Sequence, residues 1–96
     1  MVENKIDTLF EMLEKNIKDD NKQAIVDNCT RLLGYSHFLA EKTQVRLFIT
    51  KGITLLKLEH YTLALLNVKR AIAINTDSSN KVAQVALECI KLKLME

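Results

Sequence analysis

Ninety-six residues are enough for one hydrophobic core and not for two, because a chain this short buries only about 60–70% of the surface of its unfolded state. With 48% hydrophobic and 27% charged residues, the composition excludes a disordered tail and indicates a well-packed soluble domain. The net charge is +2, and the 14 basic and 12 acidic residues alternate along the chain, so charge does not call for an acidic partner.

Helical periodicity dominates the chain, which has no proline and only two glycines, Gly34 and Gly52, to punctuate strands. We therefore predict an all-α fold. The first helix is predicted over residues 2–18, because apolar residues recur there three and four positions apart. These residues are Ile6, Leu9, Phe10, Leu13 and Ile17.

A second helix is predicted through residue 33, with Asp20 or Asn21 as its N-cap. Its apolar face consists of Ile25, Cys29 and Leu32. Gly34 is expected to end this helix in a left-handed conformation, as glycine often does. A loop around residues 34–39 follows.

Residues 51–75, KGITLLKLEHYTLALLNVKRAIAIN, contain two helical runs with almost no connector between them. They predict a third helix over about 40–57 and a fourth over 61–74, which Asn75 would end in a left-handed conformation. A fifth helix is predicted over about 79–94, with its N-cap in the segment TDSS. Short connections make consecutive helices antiparallel, so the chain forms two hairpins and one further helix.

The fourth helix and its surroundings carry a spaced set of small and bulky residues. The set is Phe48, Gly52, Tyr61, Ala64, Val68 and Ala71. At this spacing the chain resembles the tetratricopeptide repeat (TPR) family, most clearly over residues 46–75, although Lys51 and Thr76 depart from that pattern. The resemblance implies that Gly52 and Ala64 let two helices approach closely, that Tyr61 wedges the turn and that Ala71 makes room for the next unit.

The first hairpin matches the pattern only in apolar character, after a shift of 39 residues instead of 34. Beyond the second hairpin, a shift of 34 places Val82, Val85, Ala86 and Cys89 on the positions of Phe48, Lys51, Gly52 and Leu55. The resemblance therefore implies one domain over 1–96, with a degenerate repeat at about 5–38, the best-matching repeat at about 45–78 and a capping helix at about 79–95. Such hairpins stack as a short right-handed superhelix of five helices.

The resemblance also implies which helix faces pack and which line a concave groove. On the fifth helix, Val82, Ala86 and Cys89 are expected to pack inward, while a second stripe that includes Ala83 joins the groove. The groove residues are Phe10, Ile17, Ile49, Ile53, Leu56, Leu87, Ile90 and Leu94. A patch of this kind is larger than a monomer of this size normally leaves in water, so something is expected to cover it.

The function expected from this groove is that of a non-enzymatic adaptor or scaffold, which binds an amphipathic helix or apolar peptide of a partner protein. One alternative is that the stripe is buried within the fold or in a homodimer, and another is that chain beyond Glu96 covers it. A weaker alternative is an RNA-associated helical repeat. Its basic residues would be Lys69, Arg70, Lys81, Lys91 and Lys93, but acidic residues lie among them and no aromatic residue interleaves with them.

Residues that carry chemistry are scarce. His37 and His60 are not spaced for metal binding with either cysteine, and no phosphate-binding or nucleophile motif occurs, so we expect no enzyme activity, cofactor or metal. TPR proteins that bind chaperone tails hold a carboxylate with Lys, Asn and Arg, whereas the corresponding positions here include Ile53, Ala83 and Leu87, which argues against such a clamp.

The cysteines and the N-terminal segment bear on the compartment. Cys29 and Cys89 lie 60 positions apart among helical apolar neighbours, so we expect buried, unpaired thiols in a reducing compartment. The start MVENKIDTLFEML lacks the basic and apolar regions of a signal peptide, and no apolar run is long enough to span a membrane. These features predict an intracellular, cytoplasmic protein.

Overall fold

The structure is a computed structural model that describes residues 2–74 and 81–96, and these residues contain helices and no strand. The helices are α1 (Val2–Lys18), α2 (Lys22–Leu33), α3 (Glu41–Lys57), α4 (Tyr61–Ile74) and α5 (Lys81–Met95), and one 3₁₀ turn covers Ser36–Phe38. The all-α prediction is confirmed, and the predicted bounds of the first four helices agree to within one residue. The caps predicted at Asn75 and within residues 76–79 lie outside the described residues.

The helices form an elongated slab of 45 × 29 × 18 Å. Its smallest dimension corresponds to two helix layers, since one helix with its side chains is about 10 Å across. α1 packs on α2 and α3 packs on α4, α2 joins the two hairpins by packing on α3, and α5 packs on α4 and to a smaller extent on α3. This serial packing is consistent with a helical repeat.

Most of the buried hydrophobic residues that the structure describes form two clusters, instead of the single core that was predicted. The first cluster consists of Leu9, Leu13, Ile25, Cys29, Leu32 and Leu47. The second consists of Val26, Leu55, Ala64, Val68, Ala83, Ala86 and Ile90. Two clusters form because stacked hairpins bury their apolar faces at successive interfaces, which is also how longer repeat arrays are built.

The turn between α1 and α2 is held by backbone hydrogen bonds around a left-handed residue. Asp20 has φ 52°. Its N–H donates to the carbonyl of Ile17 at 3.1 Å, and the N–H of Asn21 donates to the carbonyl of Asn16 at 2.9 Å. This pair of bonds is the Schellman motif, which satisfies carbonyls at the end of a helix.

The turn between α3 and α4 repeats this arrangement. Glu59 has φ 66°. Its N–H donates to the carbonyl of Leu56 at 3.0 Å, and the N–H of His60 donates to the carbonyl of Leu55 at 2.9 Å. Each of these residues follows its counterpart in the first turn by 39 positions, so the offset that aligns the two hairpins in sequence also aligns their turns.

The ends of α2 confirm one predicted cap and correct the other. Of the two predicted N-cap candidates, Asp20 and Asn21, it is Asn21 that caps the helix, by accepting a hydrogen bond at Oδ1 from the N–H of Ala24. Gly34 has φ −64° and ψ −20°, so the prediction of a left-handed glycine is wrong. Its N–H donates to the carbonyls of Thr30 and Arg31, and the chain continues with right-handed geometry into the 3₁₀ turn.

Residues 34–40 form an ordered connection between α2 and α3. The side chain of Gln44, in the first turn of α3, donates from Nε2 to the carbonyls of Ser36 and Leu39, each at 3.0 Å. These bonds fix the 3₁₀ turn to the start of α3; the carbonyl of Ser36 also accepts the N–H of Leu39 at 3.0 Å.

The α3–α4 hairpin packs backbone against side chain at Gly52. A Cβ atom on Gly52 would lie 2.7 Å from Cγ2 of Val68 and 3.3 Å from the carbonyl oxygen of Ala64. Ala64, Val68 and Ala71 are fully buried, and Tyr61 is partly buried at the start of α4. The predicted close approach of the two helices at Gly52 and Ala64 is therefore confirmed.

The α1–α2 hairpin contains a polar pair in place of that close approach. Nδ2 of Asn16 on α1 donates to Oδ1 of Asn28 on α2 at 2.6 Å, and Asn28 is buried. Leu13 and Ile25 occupy the positions that Gly52 and Ala64 have in the second hairpin, so large side chains fill this interface.

Candidate interaction surface

α5 carries apolar residues on two faces, and only one of these faces is covered. The inward face presents Ala83, Ala86 and Ile90, which are buried, and Leu87, which is partly buried. The outward face is defined here as the outer stripe. It consists of Val82, Val85, Cys89 and Leu92, of which Val82 is 57% exposed, Val85 64% and Leu92 64%.

The predicted assignment of the α5 faces is therefore wrong for most of its residues. Val82 and Cys89 face away from the core, whereas Ala83 and Ile90 lie within it. Both stripes have helical spacing, so periodicity does not select between them. Packing selects the inner one, because small alanine side chains let α5 approach its neighbours and Ile90 fills the space between them.

The residues predicted to line one groove are distributed over three environments. Ile90 is fully buried, and Ile49 and Leu87 are partly buried against the second cluster. Phe10 packs against the first cluster, and Ile17 and Leu94 are about half exposed.

Only two of the predicted residues, Ile53 and Leu56, line a cleft between α3 and α5. The continuous groove does not form, because α1 packs chiefly on α2 and does not extend the surface of α3 and α5.

The α3–α5 cleft has a volume of about 400 Å³. From α3 it is lined by Ile53 and Leu56, and from α5 by Val82, Val85 and Cys89, with Ala86 and Lys81 completing the lining. From position 82 to position 89 the cleft follows α5 for about 10 Å, or two helical turns. Its lining is mainly aliphatic, with the thiol of Cys89 and the ammonium group of Lys81 as the titratable groups described there, so it suits an apolar side chain better than a reaction.

One member of the outer stripe, Cys89, occupies a position that faces α4 one unit earlier. A shift of 34 residues carries Leu55 to Cys89, and it carries Gly52 to Ala86, which lines the edge of the α3–α5 cleft but is itself buried. Gly52 lies directly against Val68 of α4, and Leu55 belongs to the same cluster as Val68. On α3 this face is covered by an antiparallel helix, whereas in the part of the chain that the structure describes no helix covers it on α5.

Sequence reasoning missed Val82, Val85 and Leu92 as surface residues. The signal that would have found them is in the sequence, because positions 82, 85, 89 and 92 are separated by three, four and three residues. A helix with two apolar stripes at this spacing has a face left over once one face is buried.

The two cysteines have different environments, and both are unpaired. Cys29 is fully buried, as predicted, and its burial raises the pKa of the thiol to about 11, partly offset by the charge of Lys51. Cys89 is exposed in the outer stripe, so the prediction of a second buried thiol is wrong.

The described residues contain no group of three or more His, Cys, Asp or Glu side chains placed to hold a metal ion. His37 and His60 are exposed at the connections between helices. Within those same ranges of the chain, no helix is both long enough and apolar enough to cross a membrane. Comparison of the sequence and the structure with protein-family models, with curated proteins and with solved structures gives no match.

Proposed function

We propose that this chain is a non-enzymatic, TPR-like adaptor, in which the outer stripe of α5 and the α3–α5 cleft receive one amphipathic helix from a partner protein. The observation that carries the proposal is the exposure of the outer stripe, whose Val85 and Leu92 are each 64% exposed. Exposed apolar side chains that form a continuous patch mark interaction sites more often than isolated ones do.

The packing of α4 on α3 suggests how the partner helix lies. It would run antiparallel to α5 and pack on Val85 and Cys89, as α4 follows a tight turn back along α3 and packs on it. A larger side chain would enter the cleft beside Ile53 and Leu56. This is recognition of a helix in a groove, with anchors at helical spacing.

Apolar burial would supply most of the binding free energy. Each CH₂ group removed from water contributes about 0.8 kcal/mol, before the costs of association are subtracted. Lys81 is the only charged residue described in the cleft lining. Affinity at this site should therefore change little with salt, unlike binding that depends on ion pairs.

The test is selection of helical peptides from a displayed library on the wild-type chain, followed by affinity measurement on two variants. Val85→Asp places a charge in the outer stripe at a position exposed enough to leave the fold intact. Ile17→Asp is the matched control, because Ile17 is half exposed on α1 and outside the cleft. Selected peptides should bind Val85→Asp at least tenfold more weakly and Ile17→Asp unchanged; peptides that bind both variants equally would contradict the proposal.

A second candidate function is self-association through the same stripe. The spacing of Val82, Val85, Cys89 and Leu92 is that of a seam between two helices, which supports this candidate. Solution mass measured over a concentration series decides between the two. A dimer that Val85→Asp converts to a folded monomer would favour self-association, and a wild-type chain that stays monomeric would exclude it.

A further inference from the structure

A second groove lies between α2 and α4, with α3 as its floor, and it shares no lining residue with the α3–α5 cleft. Its volume is about 690 Å³. Along α4 it is lined by Leu63, Leu66, Asn67, Arg70, Ala73 and Ile74. From position 63 to position 74 these residues cover about 16 Å of helix.

The groove combines apolar walls with positive charge. Leu63 and Leu66 are 52% and 50% exposed, and Phe48 of α3 contributes a partly buried aromatic ring. Lys51 and Arg70 place two cations beside them, and no acidic side chain among the described residues lines the groove. The charge of these two residues is therefore not balanced within the lining.

One buried polar group in the groove has an unused acceptor. Asn67 is only 5% exposed, and its Nδ2 donates to the carbonyl of Leu63 at 2.8 Å. Its Oδ1 accepts no hydrogen bond from the residues that the structure describes, although buried polar atoms nearly always have a partner.

The first hairpin shows what this acceptor lacks. Asn28 lies 39 positions before Asn67, and its Oδ1 accepts a hydrogen bond from Asn16 at 2.6 Å. The counterpart of Asn16 in the second hairpin is Leu55, which is buried in the second cluster and has no donor. Oδ1 of Asn28 thus has its donor within the first hairpin, whereas Oδ1 of Asn67 has none within the second and can accept from a ligand.

We propose that this groove binds a short, extended, acidic segment of a partner protein. Carboxylates of the segment pair with Lys51 and Arg70, apolar side chains lie on Leu63 and Leu66, and a backbone N–H donates to Oδ1 of Asn67. An extended segment fits this acceptor because its N–H groups are free, whereas those in the interior of a helix are used. About five residues span 16 Å in extended form.

The test uses two fluorescein-labelled synthetic peptides and fluorescence anisotropy. Both are nine residues long, with three leucines alternating with charged residues and serines at the ends. The charged residues are glutamate in one peptide and lysine in the other. We expect the glutamate peptide to bind at least tenfold more tightly, with an affinity that falls as salt is added. Equal binding of the two peptides, or no binding of the glutamate peptide, would overturn the proposal.

Matched variants locate the binding site. Arg70→Glu should weaken binding of the glutamate peptide at least tenfold, while Lys69→Glu changes the net charge equally on an exposed residue of α4 outside the groove and should change binding less than twofold. Asn67→Leu should weaken binding without reversing the preference for glutamate. Equal effects of Arg70→Glu and Lys69→Glu would overturn the proposal, because they would show attraction to net charge alone.

Two further measurements complete the test. The first distinguishes this groove from the α3–α5 cleft, and the second distinguishes an acidic peptide from other anionic ligands. Val85→Asp lies in the α3–α5 cleft and should leave binding of the glutamate peptide unchanged, so the two proposals can fail independently. A 20-nucleotide single-stranded RNA and phosphatidylserine vesicles are the competing ligands. If either one binds more tightly than the peptide and loses that affinity in Arg70→Glu, the groove is a site for that ligand and not for an acidic peptide.

Discussion

The α1–α2 and α3–α4 hairpins make the same turn but hold their helices together in different ways. Asp20 and Glu59 adopt the same left-handed conformation 39 positions apart. Between the helices, Leu13 fills the first hairpin, whereas the backbone of Gly52 touches Val68 in the second. Local hydrogen bonds therefore determine the turn, and side-chain volume determines how the helices meet.

The same difference extends to the polar groups. Asn28 is paired with Asn16 across the first hairpin, and Asn67 has no counterpart of Asn16 in the second. The first hairpin satisfies its buried amide internally and the second does not. Two hairpins with the same turn can therefore differ in whether a buried amide finds its partner across the helix interface.

Among variants that test the difference between the hairpins, Leu13→Ala is expected to lower the free energy of unfolding most. Leu13 is buried in the first cluster, and its truncation leaves a cavity that should lower the free energy of unfolding by about 2–5 kcal/mol. Urea unfolding followed by circular dichroism measures the change. Met12→Ala is the control, since Met12 is 43% exposed on the same helix, and equal losses in the two variants would contradict the importance of this position.

Gly52→Ala should have the next largest effect. The added Cβ would meet Val68 at 2.7 Å and the backbone of Ala64 at 3.3 Å, so overpacking should lower the free energy of unfolding by about 1–3 kcal/mol, less the gain in helix propensity. The same unfolding measurement applies. Adding Val68→Ala should relieve part of the clash, and a double-mutant cycle would measure this relief. Stabilisation by Gly52→Ala alone would show that the helices do not touch at this position.

The asparagines should distinguish the hairpins by an effect of similar size. Asn16→Leu leaves the buried Oδ1 of Asn28 without a donor and should lower the free energy of unfolding by about 1–3 kcal/mol. Adding Asn28→Leu should recover most of that loss, because both partners are then apolar. Asn67→Leu, by contrast, should be neutral or stabilising. Destabilisation by Asn67→Leu as large as that by Asn16→Leu would show that Asn67 is already satisfied.

The turns should show the smallest effect. Glu59→Gly removes the strain of a left-handed residue, which for non-glycine residues is about 1–2 kcal/mol, but it also raises the entropy of the unfolded chain. The net result should be a gain of a few tenths of a kcal/mol in the free energy of unfolding. Asp20→Gly should gain less, because Asp20 also loses its 2.9 Å contact with Lys22. A larger gain at Asp20 would reverse this order.

Local signals in the sequence predicted the helices and where they are connected, because periodicity and caps act over a few residues. Asn21 is an example, since it caps its own helix. The close approach at Gly52 was predicted instead from the resemblance to the TPR pattern, which relates residues of two helices. The conformation of Gly34 was predicted wrongly because it depends on the 3₁₀ turn that follows, and Gln44 holds that turn through hydrogen bonds to Ser36 and Leu39.

The interaction surfaces depend on tertiary packing and were only partly predicted. The two stripes of α5 have the same spacing, so which of Val82 and Ile90 is buried follows from contacts with α3 and α4. The α2–α4 groove was not predicted at all. Its residues come from three helices and from the connection between α2 and α3, and the free acceptor of Asn67 is recognised only by comparison with Asn28.

The most direct test of the central claim is the reactivity of the two thiols toward a colorimetric disulfide reagent at pH 8. If the outer stripe is uncovered in the free chain, Cys89 should react at once at every protein concentration. Cys29 should react only after unfolding, because it is buried and its raised pKa keeps the thiol neutral at this pH. A selected helix should then protect Cys89. A Cys89 thiol that is already protected in the chain alone would contradict an open docking surface for a partner helix.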